Sequence, residues 1–170
     1  MKRFGVFALA LLVVGGVACS KGRSTTVSTG NGTATVTQSQ DNQTTTVTSK
    51  EGTMIAGKNA VDPATLGVPV YTGATQQEGG YSITDAQGGG QVVALKTPDA
   101  FDKVYAFYKS QLPPSAETMK TESNGSAYAL FRVGTDKNGA TIVLEQKQGD
   151  ATTTIVITKA TSSAPAAAST

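Results

Sequence analysis

Thr97-Pro98-Asp99-Ala100-Phe101-Asp102-Lys103-Val104-Tyr105-Ala106-Phe107-Tyr108-Lys109-Ser110-Gln111-Leu112-Pro113-Pro114 is the stretch of this 170-residue chain with a convincing helical period. Phe101, Val104, Tyr105, Tyr108 and Leu112 recur at i, i+3, i+4, i+7 and i+11 and make one apolar face, which Phe107 widens. Thr97 reads as the N-cap with Pro98 at the first helical position, and Asp99 and Asp102 suit the positive end of the helix. Pro113-Pro114 stops it. A helix with one apolar face needs a partner layer.

The flanking sequence supplies strands for that layer. Upstream, Tyr81 to Thr84 alternates. Asp85 to Gly90 reads as a turn with Gly88-Gly89-Gly90 at a hairpin tip, and Gln91 to Thr97 returns as a more apolar run. Downstream come Ala116 to Glu122, then Asn124-Gly125, a strong hairpin turn. Ala127 to Val133, Ala140 to Lys147 and Thr152 to Thr158 follow, each β-prone and bounded by turn formers. The order β-β-α-β-β-β-β predicts an α+β domain over residues 78–159, one helix packed on an antiparallel sheet. Residues 160–170, rich in Ala and Ser, read as a disordered tail.

Residues 58–77 read as a connector. Asp62-Pro63 and Val68-Pro69 favour extended or turn geometry, and Val68, Val70 and Tyr71 suit partial burial. Residues 19–57 hold four Thr-rich runs, around Val27, Val36, Val47 and Ile55, separated by turn formers. Thr and Val fit pleated surfaces, but each run carries few apolar residues. A β-meander and a disordered Ser/Thr stalk both remain open. Nearly all aromatics outside the leader lie beyond this segment, so residues 60–160 should fold alone.

The N-terminus carries the clearest signal. Lys2 and Arg3 precede an apolar run from Phe4 to Val14, then Gly15-Gly16-Val17-Ala18 and Cys19. This is the order of a secretory leader over residues 1–18, and its apolar stretch is shorter than the ~20 residues of a spanning helix. The segment resembles the bacterial lipoprotein signal, whose lipobox ends in a small residue followed by Cys; Gly16 stands where that pattern prefers Leu. The resemblance implies a diacylglycerol on the Cys19 sulfur and cleavage before Cys19. It implies export and a lipid anchor in a cell membrane. Ser20, in place of an Asp, points to the outer membrane facing the periplasm in a Gram-negative host.

A second resemblance covers about residues 50–159. Val68-Pro69-Val70-Tyr71-Thr72-Gly73-Ala74, with Thr72 where Pro is usual, and the helix Phe101-Asp102-Lys103-Val104 with Phe107-Tyr108-Lys109-Ser110-Gln111-Leu112 are similar to a family of uncharacterised bacterial lipoproteins. That family pairs a "VPVYPGA"-like strap with a helix and a β-meander. The likeness implies a fold and a compartment and brings no activity.

Composition narrows the chemistry. There is no His, no Trp and one Cys, so a Ser-His-Asp triad and His-based metal sites are excluded. Acylation of Cys19 would remove thiol chemistry. Of 14 basic residues Lys2 and Arg3 lie in the leader; without them the basic count equals the 12 acidic residues. No basic stripe is left for nucleic acid. Lys109 and Ser110 diverge as helix neighbours and make no dyad. Asp99 and Asp102 are explained by the helix end. Gly88-Gly89-Gly90 lacks the Lys-Ser/Thr of a phosphate loop, and Asp136-Lys137-Asn138-Gly139 lacks the later Glu of a calcium loop. No catalytic residue, metal site or cofactor is therefore assigned. The expectation is a non-enzymatic envelope lipoprotein, a binding or structural module whose partners are the membrane through Cys19 and an envelope protein. The alternatives are a carrier of a small apolar ligand between helix and sheet, with Tyr105 and Tyr108 as the ligand or partner face, and an envelope hydrolase.

Overall fold

The computed structural model describes residues 22–29 and 32–162. The leader, Cys19 and residues 163–170 of the expected tail lie outside them. Among the described residues the chain forms eleven strands and one α-helix. The strands are β1 (Ser24–Thr29), β2 (Gly32–Gln38), β3 (Thr44–Ser49), β4 (Gly52–Gly57), β5 (Thr75–Gln76), β6 (Tyr81–Asp85), β7 (Gly88–Thr97), β8 (Glu117–Ser123), β9 (Ser126–Gly134), β10 (Gly139–Gln146) and β11 (Thr153–Ser162), with α1 (Phe101–Gln111) between β7 and β8. All the strands belong to one antiparallel sheet in the order β1-β2-β3-β4-β6-β7-β11-β10-β9-β8, and β5 adds a short pairing to β7.

The protein is thus predominantly β, which corrects the α+β expectation. The Thr-rich runs are not a separate ornament. They are strands β1 to β4, and β4 pairs with β6 from Gly52↔Asp85 to Ala56↔Tyr81. Hairpin after hairpin extends the sheet far past the reach of an eleven-residue helix. Pairing also carries β11 to Ser162, opposite Gly88, three residues into the expected tail.

One half of the sheet carries the core. Val93 and Leu95 on β7, Ile155 and Ile157 on β11, Ile142 and Leu144 on β10, and Ala129 and Phe131 on β9 are all buried. They share one face because side chains alternate along a strand and the registers align Val93↔Ile157↔Ile142↔Phe131. Each aliphatic side chain so buried contributes about 1.5–3 kcal/mol. The second layer is α1 plus the segment before β5. Phe101, Val104, Tyr108 and Leu112 of the helix are buried, as are Val61, Leu66 and Tyr71 of residues 58–77. That stretch is therefore part of the core and not a plain connector. A 3-10 turn, Pro63–Leu66, starts it; the Asp62 carboxylate accepts the Ala64 amide at 3.0 Å. Lys159 Nζ donates to the Thr65 carbonyl at 2.6 Å and ties the turn to β11.

Two local readings change. The N-cap of α1 is Ala100, with no side-chain cap bond. Thr97 stays in β7, opposite Thr153, and its hydroxyl accepts the Asp99 amide at 3.2 Å. A turn at Pro98 thus intervenes before the helix. Gly88-Gly89-Gly90 is not a hairpin tip; Ala86-Gln87 makes that turn. The glycines lie inside β7 between β6 and β11. Gly88 has φ 146°, and a Cβ there would sit 2.1 Å from the Thr161 carbonyl oxygen. Close approach of two neighbouring backbones, not mobility, requires glycine here.

Candidate functional site

The sequence singled out Tyr105 and Tyr108 on α1. The structure does not bring them to a common surface. Tyr108 is fully buried, edge-on to Phe107 with ring centroids 5.1 Å apart. Its hydroxyl is buried near the Tyr71 backbone without a hydrogen bond of good geometry, and burial pushes its pKa up. It offers nothing to a ligand from outside. Tyr105 is half-buried and already engaged. Its hydroxyl donates to Glu117 Oε1 at 2.7 Å and accepts from Lys109 Nζ at 3.1 Å, while Lys120 Nζ lies 4.4 Å from its ring centroid. Cys19 lies outside the described residues.

The space between helix and sheet is filled. Phe131 packs against Tyr105 and Tyr108 with centroids 5.8 and 6.1 Å away. Tyr71 closes the far side, edge-on to Phe107 at 5.2 Å, and its hydroxyl donates to Asp99 at 2.7 Å. An open depression of about 410 Å³ lies at the N-terminal end of α1, between Phe101, Asp102 and the β8–β9 turn at Asn124-Gly125. A smaller one of about 120 Å³ lies by the β9–β10 turn, lined by Arg132, Asp136 and Thr158. Among the described residues no three His, Cys, Asp or Glu side chains gather as a metal site, and no helix is long and apolar enough to cross a membrane.

Two half-buried carboxylates brace the helix layer. Asp99 is held below its ordinary value by Lys103 first and Tyr71 second. Glu117 is held down by Tyr105 first and Lys109 second. Depressed carboxylates stabilise the fold above their unfolded pKa, and that contribution is lost as pH falls through the lower folded value. Stability should therefore hold at neutral pH and decline below the ordinary values, 4.5 for Glu and 3.8 for Asp. Urea melts of wild type and Glu117→Gln between roughly pH 6 and pH 3 would check this. The variant should start less stable and lose less; an equal loss in both would show that Glu117 is not coupled to folding.

The largest unusual feature is the sheet face opposite α1. Two register rows there carry no ionised side chain. One runs Ala94, Val156, Val143, Leu130 and Met119. The other runs Val36, Val47, Met54, Ile83, Gly90 and Ala160. Tyr81 and Val92 pair between them. Val27, Met54, Tyr81, Ile83 and Met119, the large apolar side chains that remain 37–46% exposed, all point to this face. Nothing among the described residues covers it. Across β1–β4 and β6 the other face instead carries the row Thr26, Thr35, Thr48, Thr53 and Thr84. The sequence signal for the apolar face was the apolar residue that follows Thr in each run, Val27, Val36, Val47 and Met54. It could not be read as a surface without the register that aligns one strand with the next.

Comparison with protein-family models, with curated proteins and with solved structures gave no match.

Proposed function

We propose that this protein is a membrane-anchored lipoprotein of the cell envelope, tethered through lipid on Cys19, whose β-rich domain is a non-enzymatic binding or structural module. The observation that carries the module reading is the uncovered apolar sheet face set against a filled interior. An apolar patch of that extent on a monomer marks an interaction surface, whereas a carrier of small apolar ligands needs a concave, emptied pocket. The anchor reading rests on the apolar run ending in Ala18-Cys19. The sheet starts at Ser24, so the tether from Cys19 reaches about 17 Å at full extension. A domain held that close works at the membrane surface instead of being lifted off it. In a Gram-negative host Ser20 places it on the outer membrane, facing the periplasm.

The test is chemical. Mass spectrometry of the membrane fraction should find Cys19 acylated and the leader gone, and Cys19→Ala should leave an uncleaved precursor. A free Cys19 thiol in the wild-type protein would end the anchor reading.

A further inference from the structure

We infer that the uncovered sheet face is where two copies of this chain meet, sheet against sheet. The inference deepens the binding-module reading and rests on it, naming the partner of that face. Three observations point to a second copy.

The first is area. Ten strands about 4.8 Å apart span roughly 45 Å, and the successive rows from Met54 to Met119 add roughly 15–20 Å along the strands. The face thus presents on the order of 700–900 Å², against about 800 Å² per partner in a stable interface of standard size.

The second is charge. The ionised strand side chains that point to this face are Lys96, Arg132, Asp85 and Glu145, joined by Asp136 beside Arg132 and Lys147 beside Glu145. Cations and anions balance; Lys96, Asp85 and Glu145 lie near strand ends, and Arg132 lies in the Val92–Thr158–Thr141 row between the two apolar rows. A face whose charges balance does not repel its own copy, and, Arg132 apart, an apolar centre with a charged rim is the anatomy of a protein interface. The same balance removes the basic cluster that an anionic lipid surface would select.

The third is texture. The rows consist of Gly, Ala, Val, Ile, Leu and Met, small or compact side chains on a pleated surface. Two such faces can stack about 10 Å apart in an aligned sandwich, and a two-fold axis lets one patch serve both copies.

The experiment uses the chain from Ser20 to Thr170, which holds every described strand, the helix and the core, and lacks the only cysteine. Sedimentation equilibrium at micromolar concentration should give twice the monomer mass. Ile83→Lys with Met119→Lys places charge on the face at exposed positions, and the mass should halve with the far-ultraviolet spectrum unchanged. Thr48→Lys with Thr84→Lys, on the other face, should stay dimeric. A monomeric wild type overturns the inference, as does a Thr-face variant that dissociates equally. Should the monomer instead co-sediment with neutral phosphatidylcholine vesicles, and Ile83→Lys with Met119→Lys not, the occupant is lipid and the second copy is excluded. None of these outcomes depends on Cys19, so failure of the anchor reading is recognised separately, by the mass of the full-length protein.

Discussion

Replacing Phe131 by alanine is expected to cost about 3–5 kcal/mol, the loss typical of a buried aromatic removed from a core that cannot collapse around the gap. Phe131 is 1% exposed, sits on β9 opposite Ile142, and touches both Tyr105 and Tyr108. Its neighbours are themselves fixed: Tyr105 by Glu117 and Lys109, Tyr108 by the helix and by Phe107. A domain of this kind has about 5–15 kcal/mol in all, so the variant should be marginal at 25 °C. Phe101→Ala should cost less. Phe101 is also buried, but it borders the depression at the start of α1, where water can enter the space left. Asp99→Asn should cost least, because its carboxylate is only partly buried and the amide oxygen can still accept from Tyr71. Urea melts of the three decide the order. If Phe101→Ala proves the most damaging, the helix and not β9 is the keystone of the second layer.

The other large effect concerns where the chain can be cut. A chain ending at Ala151 lacks β11, which lies between β7 and β10 and carries Ile155 and Ile157. Its loss leaves two sheets with no shared core and the buried faces of Val93 and Ile142 open. That chain should show no cooperative melting transition. A chain of residues 60–162 should melt cooperatively, because every buried apolar side chain among the described residues lies between Val61 and Ile157. The limit is Ser162 and not 160, since pairing with β7 runs that far. Cutting away β1–β4 exposes β6 as a new edge with Tyr81 and Ile83 on it, so this chain should fold and yet aggregate more readily. Circular dichroism and light scattering on both chains check the claim. Cooperative folding of the first, or its absence in the second, would show that the core has been misplaced.

What could be read from the sequence was what is decided locally. Asn124 and Gly125 have φ of 49° and 74°, and few other residue pairs enter that turn, so the hairpin was visible in two letters. Pro113-Pro114 ended the helix as written, and the apolar stripe from Phe101 to Leu112 named its buried face. What could not be read was decided by distant partners. Thr97 is a good cap by type, but β11 claims its backbone for the sheet. Three successive glycines look like a tip until Thr161 and Ile83 are seen pressing on them from both sides. The Thr-rich runs alternate without a strongly apolar side, so nothing within them fixes whether they stand free or extend the sheet. The α+β expectation failed there. The candidate site failed for a related reason. Tyr105 and Tyr108 lie on the apolar stripe, but only the strap carrying Tyr71 and the strand carrying Glu117 determine that one is sealed in and the other tied down.

The strand order has a consequence for how quickly the molecule can form. It consists of two runs of near neighbours in sequence, β1 to β7 and β8 to β11, that meet at one seam between β7 and β11. Each run can zip by hairpins, whose closure takes about 1–10 μs. The seam joins residues 88–97 to residues 153–162 and needs a long loop to close first. Folding therefore waits on that one long-range encounter, and substitutions in β7 and β11 should slow folding while those in β1–β3 mainly speed unfolding. As the chain is synthesised from its N-terminus, β7 stands as an unpaired edge, glycine-rich and apolar, until the last strand arrives. The newborn protein is most exposed to misassociation in that interval, along a strand that ends up in the interior of the finished sheet.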